Sequence, residues 1–250
     1  MAFAHLRTRP GARTRARAWR CGAVVAVAST TAASLLAPSA VLAQPAKASV
    51  APWTIVATVV QPAPKYDSAS ATRAHGTIPV TWRGAASVLP VIRSTSTRLL
   101  VRLAQRPNGQ TAWIPAADAT LSRTAYAIVI HLRSTHLMLY RSGHRILSTP
   151  VGVGTPTNPT PTGTFFVAFF AAAPNPGYGP FVMVTSAHSN TITDWEQSGD
   201  AMIGIHGPLG ADAEIGTAGA RISHGCVRLH IPALRRLRPV PAGSPVYIVP

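Results

Sequence analysis

Short apolar runs separated by glycine and proline constrain this chain more than any other feature. With 23 prolines and 19 glycines in 250 residues, few stretches are long enough for a helix. Runs of about four to eight residues rich in Val, Ile, Thr and aromatics suit strands instead. Tyr126–Leu132, His136–Tyr140, Arg145–Gly154, Gly163–Phe170, Phe181–Thr185, Met202–Ile205 and Val246–Val249 read this way. Ile231–Leu237 reads as one short helix, with Pro232 in a first turn that tolerates it. The series predicts an all-β, sandwich or barrel-like domain over residues 124–250. Upstream, Val88–Ile92, Arg98–Leu103 and Thr111–Ile114 read as strands, with Arg106–Gln110 as a hairpin turn. They predict a small β-domain over residues 78–122, with Trp113 in its core. Residues 44–77 are rich in Ala, Pro, Ser and Thr and read as a flexible linker. Within it, Trp53–Val60 suits either a strand or an extended tether.

The formal net charge of +16 suggests a nucleic-acid binder until its distribution is followed. Arg7, Arg9, Arg13, Arg15, Arg17 and Arg20 precede an apolar run that begins at Cys21, and Val41-Leu42-Ala43 supplies small residues ahead of Gln44. A basic start, an apolar middle and a small-residue cleavage site describe a secretory signal peptide over residues 1–43, with an uncleaved signal anchor as the alternative. Either reading places the rest of the chain outside the cytoplasm. Residues 44–250 then hold 17 cations against 7 acids, with most of the excess before residue 124. They contain no motif that reads RNA or DNA and no alternation of basic and aromatic residues. An anionic cell-wall polymer is the more natural partner for an exported basic face, with solvated arginines as the alternative.

Without Cys21, one thiol remains, so no internal disulfide is possible. An unpaired cysteine in an oxidising compartment is either deeply buried or used for its reactivity. Cys226 lies in Arg221-Ile-Ser-His-Gly-Cys-Val-Arg-Leu229, twenty positions after His206. A thiolate is a strong nucleophile, an imidazole is its usual base, and Gly225 allows the backbone to turn amides toward a developing oxyanion. A metal site built from His206, His224, Cys226 and His230 is the rival reading. No two of these histidines stand at the i, i+4 spacing of a zincin helix, and no carboxylate base stands nearby.

At His206-Gly207 and Ser223-His-Gly-Cys-Val-Arg228 the chain resembles the L,D-transpeptidases, cysteine enzymes with a YkuD-type catalytic domain that act on bacterial peptidoglycan. The resemblance covers residues 124–250, and Arg228 stands where many members have Asn. It implies a mostly β catalytic domain with one short helix, preceded by an SH3-like module. Cys226 is implied as nucleophile and His206 as proton donor and acceptor, oriented by the Gly207 carbonyl. The amides of Gly225 and Cys226 would hold the oxyanion, and Ser223, His224 and Arg228 would bind substrate. No cofactor or metal is implied. Peptidoglycan stem peptides are the implied partner, and 3-3 cross-linking is the implied reaction. L,D-carboxypeptidase hydrolysis, anchoring of proteins to the wall, and a non-catalytic wall-binding role remain as alternatives. Thr155–Thr162 suits either a stiff connector or the family's turn before a core strand, and residues 171–179 occupy the place of a mobile lid.

Overall fold

The computed structural model describes residues 50–250. The expected leader, Cys21 and the first residues of the linker lie outside this range.

Five strands form the first sheet: β1 (Thr54–Val59), β2 (Val88–Ser94), β3 (Arg98–Arg102), β4 (Thr111–Pro115) and β5 (Ala119–Thr124). Their order is β4-β3-β2-β1-β5, antiparallel throughout. Alternation builds the core in the expected manner, with Leu99 and Val101 of β3 pointing inward between half-buried neighbours. The expected linker over 44–77 is corrected here. Thr54–Val59 is a central strand, paired on one side with Val88–Pro90 and on the other with Ala119–Thr124. Val56, Ala57 and Val59 are buried, as are Ala63 and Ile78 further along. Of the two readings open for Trp53–Val60 the strand is the one observed: five of the six residues Thr54–Val59 are β-branched, and pairing partners thirty or more positions away decide its state. The β-domain therefore runs from 54 to 124, and its first strand closes the meander beside its last.

Eight strands form the second sheet: β6 (Tyr126–His131), β7 (His136–Arg141), β8 (His144–Pro150), β9 (Gly163–Ala171), β10 (Val182–His188), β11 (Met202–His206), β12 (Val227–Arg228) and β13 (Pro245–Val249). The order is β8-β7-β6-β13-β9-β10-β11-β12. The pairs β6/β13 and β11/β12 are parallel, and the others are antiparallel. The single α-helix among the described residues, α1 (Ile231–Arg235), has a proline in its first turn and buries Leu234. Ile128, Ile130, Leu137, Val167, Met183, Ile205, Val227 and Val246 belong to the core of this half.

Strand β9 serves both halves. Phe165 and Val167 join the core of the second sheet, whereas Phe166 and Ala168 join that of the first. A register shift between Val167 and Phe169 resets the alternation. Phe169 consequently packs with the first core and Phe170 with the second. Buried Thr124 and Ser244 exchange a hydroxyl hydrogen bond of 2.8 Å across the same seam.

Candidate active site

Strands β11 and β12 bring the sequence-distant residues together. Their parallel register sets Ile205 opposite Val227 and His206 opposite Arg228. Ile205 and Val227 are fully buried in the core, so period-two alternation turns Gly204, His206, Cys226 and Arg228 to the other face. That face lines a cavity of about 280 Å³. Gly204 N donates to Cys226 Sγ at 3.4 Å. A Cβ added at Gly204 would lie 3.7 Å from His206 Cδ2 and 3.8 Å from Cys226 Sγ. Thiol and imidazole therefore border one small space, kept open by the missing side chain between them.

His206 Nδ1 donates to the Gly207 carbonyl at 2.8 Å, which leaves the Nε2 lone pair as the basic site. The ring is 2% exposed. Burial lowers its pKa to about 4, Arg228 adds to the lowering, and the Gly207 bond offsets part of it. Cys226 is half-buried, and burial pushes its thiol pKa up, against the opposing pull of the Gly204 amide and Arg228. Both groups are thus neutral at pH 7.

Tyr178 lies against the imidazole, with ring centroids 4.6 Å apart. Its segment is tied down by Gly207 N to Tyr178 O at 2.8 Å and Leu209 N to Gly177 O at 3.0 Å. Gly207 permits this approach, because a Cβ there would stand 2.7 Å from Gly177 O. The expected lid over 171–179 is accordingly anchored at its C-terminal end to the segment just past β11, the strand that carries His206.

The Ser223–Cys226 turn departs from expectation in two respects. The Ser223 hydroxyl, expected against substrate, accepts from Gly225 N at 3.1 Å and donates to Cys226 O at 2.5 Å. It braces the turn. Gly225 N, expected at the oxyanion, is consumed by that same bond, and Gly225 takes φ +120°. Cys226 N makes no backbone hydrogen bond among the described residues and is the amide left for an oxyanion. The Thr155–Thr162 loop holds the turn from beneath. Buried Thr160 accepts from Gly154 N at 2.9 Å and donates to Gly225 O at 2.8 Å. Sequence reasoning missed Thr160 and Gly204, since neither a backbone carbonyl as partner nor an empty Cβ position leaves a spacing signal.

His224 is exposed and stacks on Trp195 with centroids 5.3 Å apart. Arg228 lines the cavity, its Nε is buried without a hydrogen bond, and no carboxylate pairs with it among the described residues. His230, the fourth ligand of the metal reading, pairs with Asp212 at 3.1 Å. Among the described residues no three His, Cys, Asp or Glu side chains stand together as a metal group.

Residues 125–248 match the YkuD family, described as the L,D-transpeptidase catalytic domain. No curated protein matches the chain. Among solved structures, an L,D-transpeptidase from Mycobacterium smegmatis aligns at 16% identity with a TM-score of 0.41, over 65% of this chain and 90% of that one. The catalytic domain of the E. faecium L,D-transpeptidase aligns at 26% identity and a TM-score of 0.34, over 49% of this chain and 95% of that one. L,D-transpeptidase 1 of Mycobacterium tuberculosis aligns at 19% identity and a TM-score of 0.35, over 56% and 77% of the two chains. Through the matched residues, which include both His206 and Cys226, the chain belongs to the YkuD family of L,D-transpeptidase catalytic domains.

Proposed function

We propose that the protein is an exported peptidoglycan L,D-transpeptidase that works through a thioester on Cys226. The observation that carries this reading is the placement of His206, at the end of β11, and Cys226, just before β12, facing one cavity around Gly204. The Cys226 sulfur attacks the carbonyl after the L-centre of the diamino acid in a stem tetrapeptide, while its proton passes to His206 Nε2. The C–N bond to the terminal D-Ala breaks, and His206 returns the proton to the leaving amine. A side-chain amine of a second stem then attacks the thioester and gives up its proton to His206. The sulfur leaves as the new amide forms and takes that proton back from His206, giving a 3-3 cross-link and the resting thiol.

Both partners are neutral at rest, and a base held near 4 by burial is a weak acceptor for a thiol proton, so the transfer to Nε2 accompanies the attack of the sulfur rather than preceding it. The Cys226 amide offers the oxyanion a donor worth roughly 3 kcal/mol in the transition state. Arg228, unpaired and facing the cavity, supplies the cation for a stem carboxylate. Action on a wall polymer requires export, for which the basic and apolar pattern of residues 1–43 provides.

The test is mass spectrometry of the protein with a disaccharide tetrapeptide. The expected result is a covalent adduct on Cys226 with loss of D-Ala, followed by a cross-linked dimer. Cys226→Ala should abolish the adduct, and His206→Gln should slow acylation by about 10² to 10⁴. An adduct persisting in Cys226→Ala would refute the mechanism. A hydrolysed tripeptide without dimer would reassign the acceptor from amine to water.

A further inference from the structure

One wall of the catalytic cavity comes from residues 189–201, which include Ser189, Ile192, Trp195, Asp200 and Ala201. This segment has almost no regular structure of its own. Much of its anchorage comes from the other half of the molecule, at the hairpin turn between β3 and β4. All three guanidinium nitrogens of Arg106 engage it: NH1 donates to Ser189 O at 2.7 Å, NH2 to Ile192 O at 2.9 Å and Nε to Asp200 Oδ1 at 3.1 Å. Two residues along, Asn108 pairs with the backbone of His188 as a neighbouring strand would. Its Nδ2 donates to His188 O at 2.7 Å, and its Oδ1 accepts from His188 N at 2.8 Å. Nδ2 also reaches Asn190 Oδ1 at 3.2 Å.

We propose that Arg106 and Asn108 are positioning residues for the transpeptidase reaction, through which the β-domain holds residues 189–200 as one wall of the substrate cavity. The β-domain is then part of the machinery that shapes the site, whatever else its surface binds. The inference deepens the functional reading and rests on it in one respect, that the cavity around Cys226 receives the peptide. The guanidinium suits the task because its planar fork directs donors along fixed lines, which an ammonium cannot reproduce. It also neutralises Asp200, whose other oxygen lies 3.0 Å from buried His188 and 4.0 Å from Arg83. Removing Arg106 frees two backbone carbonyls and loosens the carboxylate together. The wall carries Trp195, which stacks on His224 beside Cys226, so its displacement reaches the peptide's seat without touching the nucleophile.

The experiment compares the wild-type chain with Arg106→Ala, Arg106→Lys, Asn108→Ala and the double alanine variant. Amide exchange across residues 189–200 should accelerate at least about tenfold in the alanine variants, with β6 and β13 unchanged, since bonds to a charged group are being removed. Alkylation of Cys226 by iodoacetamide should stay at the wild-type rate. Acylation by the stem tetrapeptide should fall about tenfold in kcat/KM, mostly through KM. Arg106→Lys should lie between wild type and Arg106→Ala. Should Arg106→Ala fail to fold, Asn108→Ala and Arg106→Lys supply the same readings. Wild-type exchange in 189–200, or faster exchange with unchanged kcat/KM, would overturn the proposal. If the wild-type protein forms no adduct, the functional reading fails, while the exchange measurements still decide whether the hairpin holds this wall.

Discussion

Burial acts on His206 and Cys226 in opposite directions on the scale and with the same result, because water is withdrawn from whichever form is charged. The imidazole falls to about 4 and the thiol rises above its ordinary value of 9.0. The sign for reactivity follows directly. Below the thiol pKa the thiolate fraction grows about tenfold per pH unit, so alkylation of Cys226 by a small reagent should climb steadily from pH 7 to pH 9. It should show no plateau near neutrality. A thiolate–imidazolium pair would instead give a fast rate already at pH 6, and a stopped-flow pH series separates the two. At this scale the sequence was informative where chemistry belongs to a residue type, as with the lone thiol and the upstream imidazole. Ser223 and Gly225 were assigned outward roles because a motif does not reveal that a hydroxyl and an amide satisfy each other within one turn.

Among the elements, the loop before β9 has the most specific task. Thr160 bridges Gly154 N and Gly225 O with one hydroxyl, joining Gly154 to the Ser223–Cys226 turn. Thr160→Val keeps the shape and leaves both partners buried without hydrogen bonds. Destabilisation of roughly 1–3 kcal/mol per orphaned group is expected in urea unfolding. Acylation should slow by more than alkylation does, since the Cys226 amide loses its fixed direction. Equal slowing of both would mean that Thr160 serves stability alone. Strands with clear alternation, such as β3 and β7, were legible in the sequence, as was the helix beginning near Pro232. β12 was not, because two residues carry no period and its existence depends on the parallel partner β11. β1 was legible only as either strand or tether, its own apolar pattern being diluted by the Ala, Pro and Ser around it.

Across the whole molecule, the expected boundary near residue 123 falls on a continuous interior. Phe166, Ala168 and Phe169 pack with the first core, and a Cβ at Gly243 would meet Val56 and Val88 at 2.8 and 2.9 Å. A fragment of residues 125–250 would expose this apolar seam. Such a fragment should bind a hydrophobic dye and aggregate at concentrations where the full chain stays dispersed, with a lower melting temperature where it can be measured. A dispersed fragment with an unchanged melting temperature would show that the two cores are independent. Sequence patterns located both halves but not their fusion, because period two reports that a strand has two sides and is silent about what lies beyond each. The strand Gly163–Ala171 gives that fusion a folding consequence. Sliding it by one position would turn its two sets of side chains over, sending Phe166 into the space shaped for Phe165 and Val167 into that shaped for Phe166. Such an error harms both interiors at once, so the molecule checks the alignment of this one segment twice.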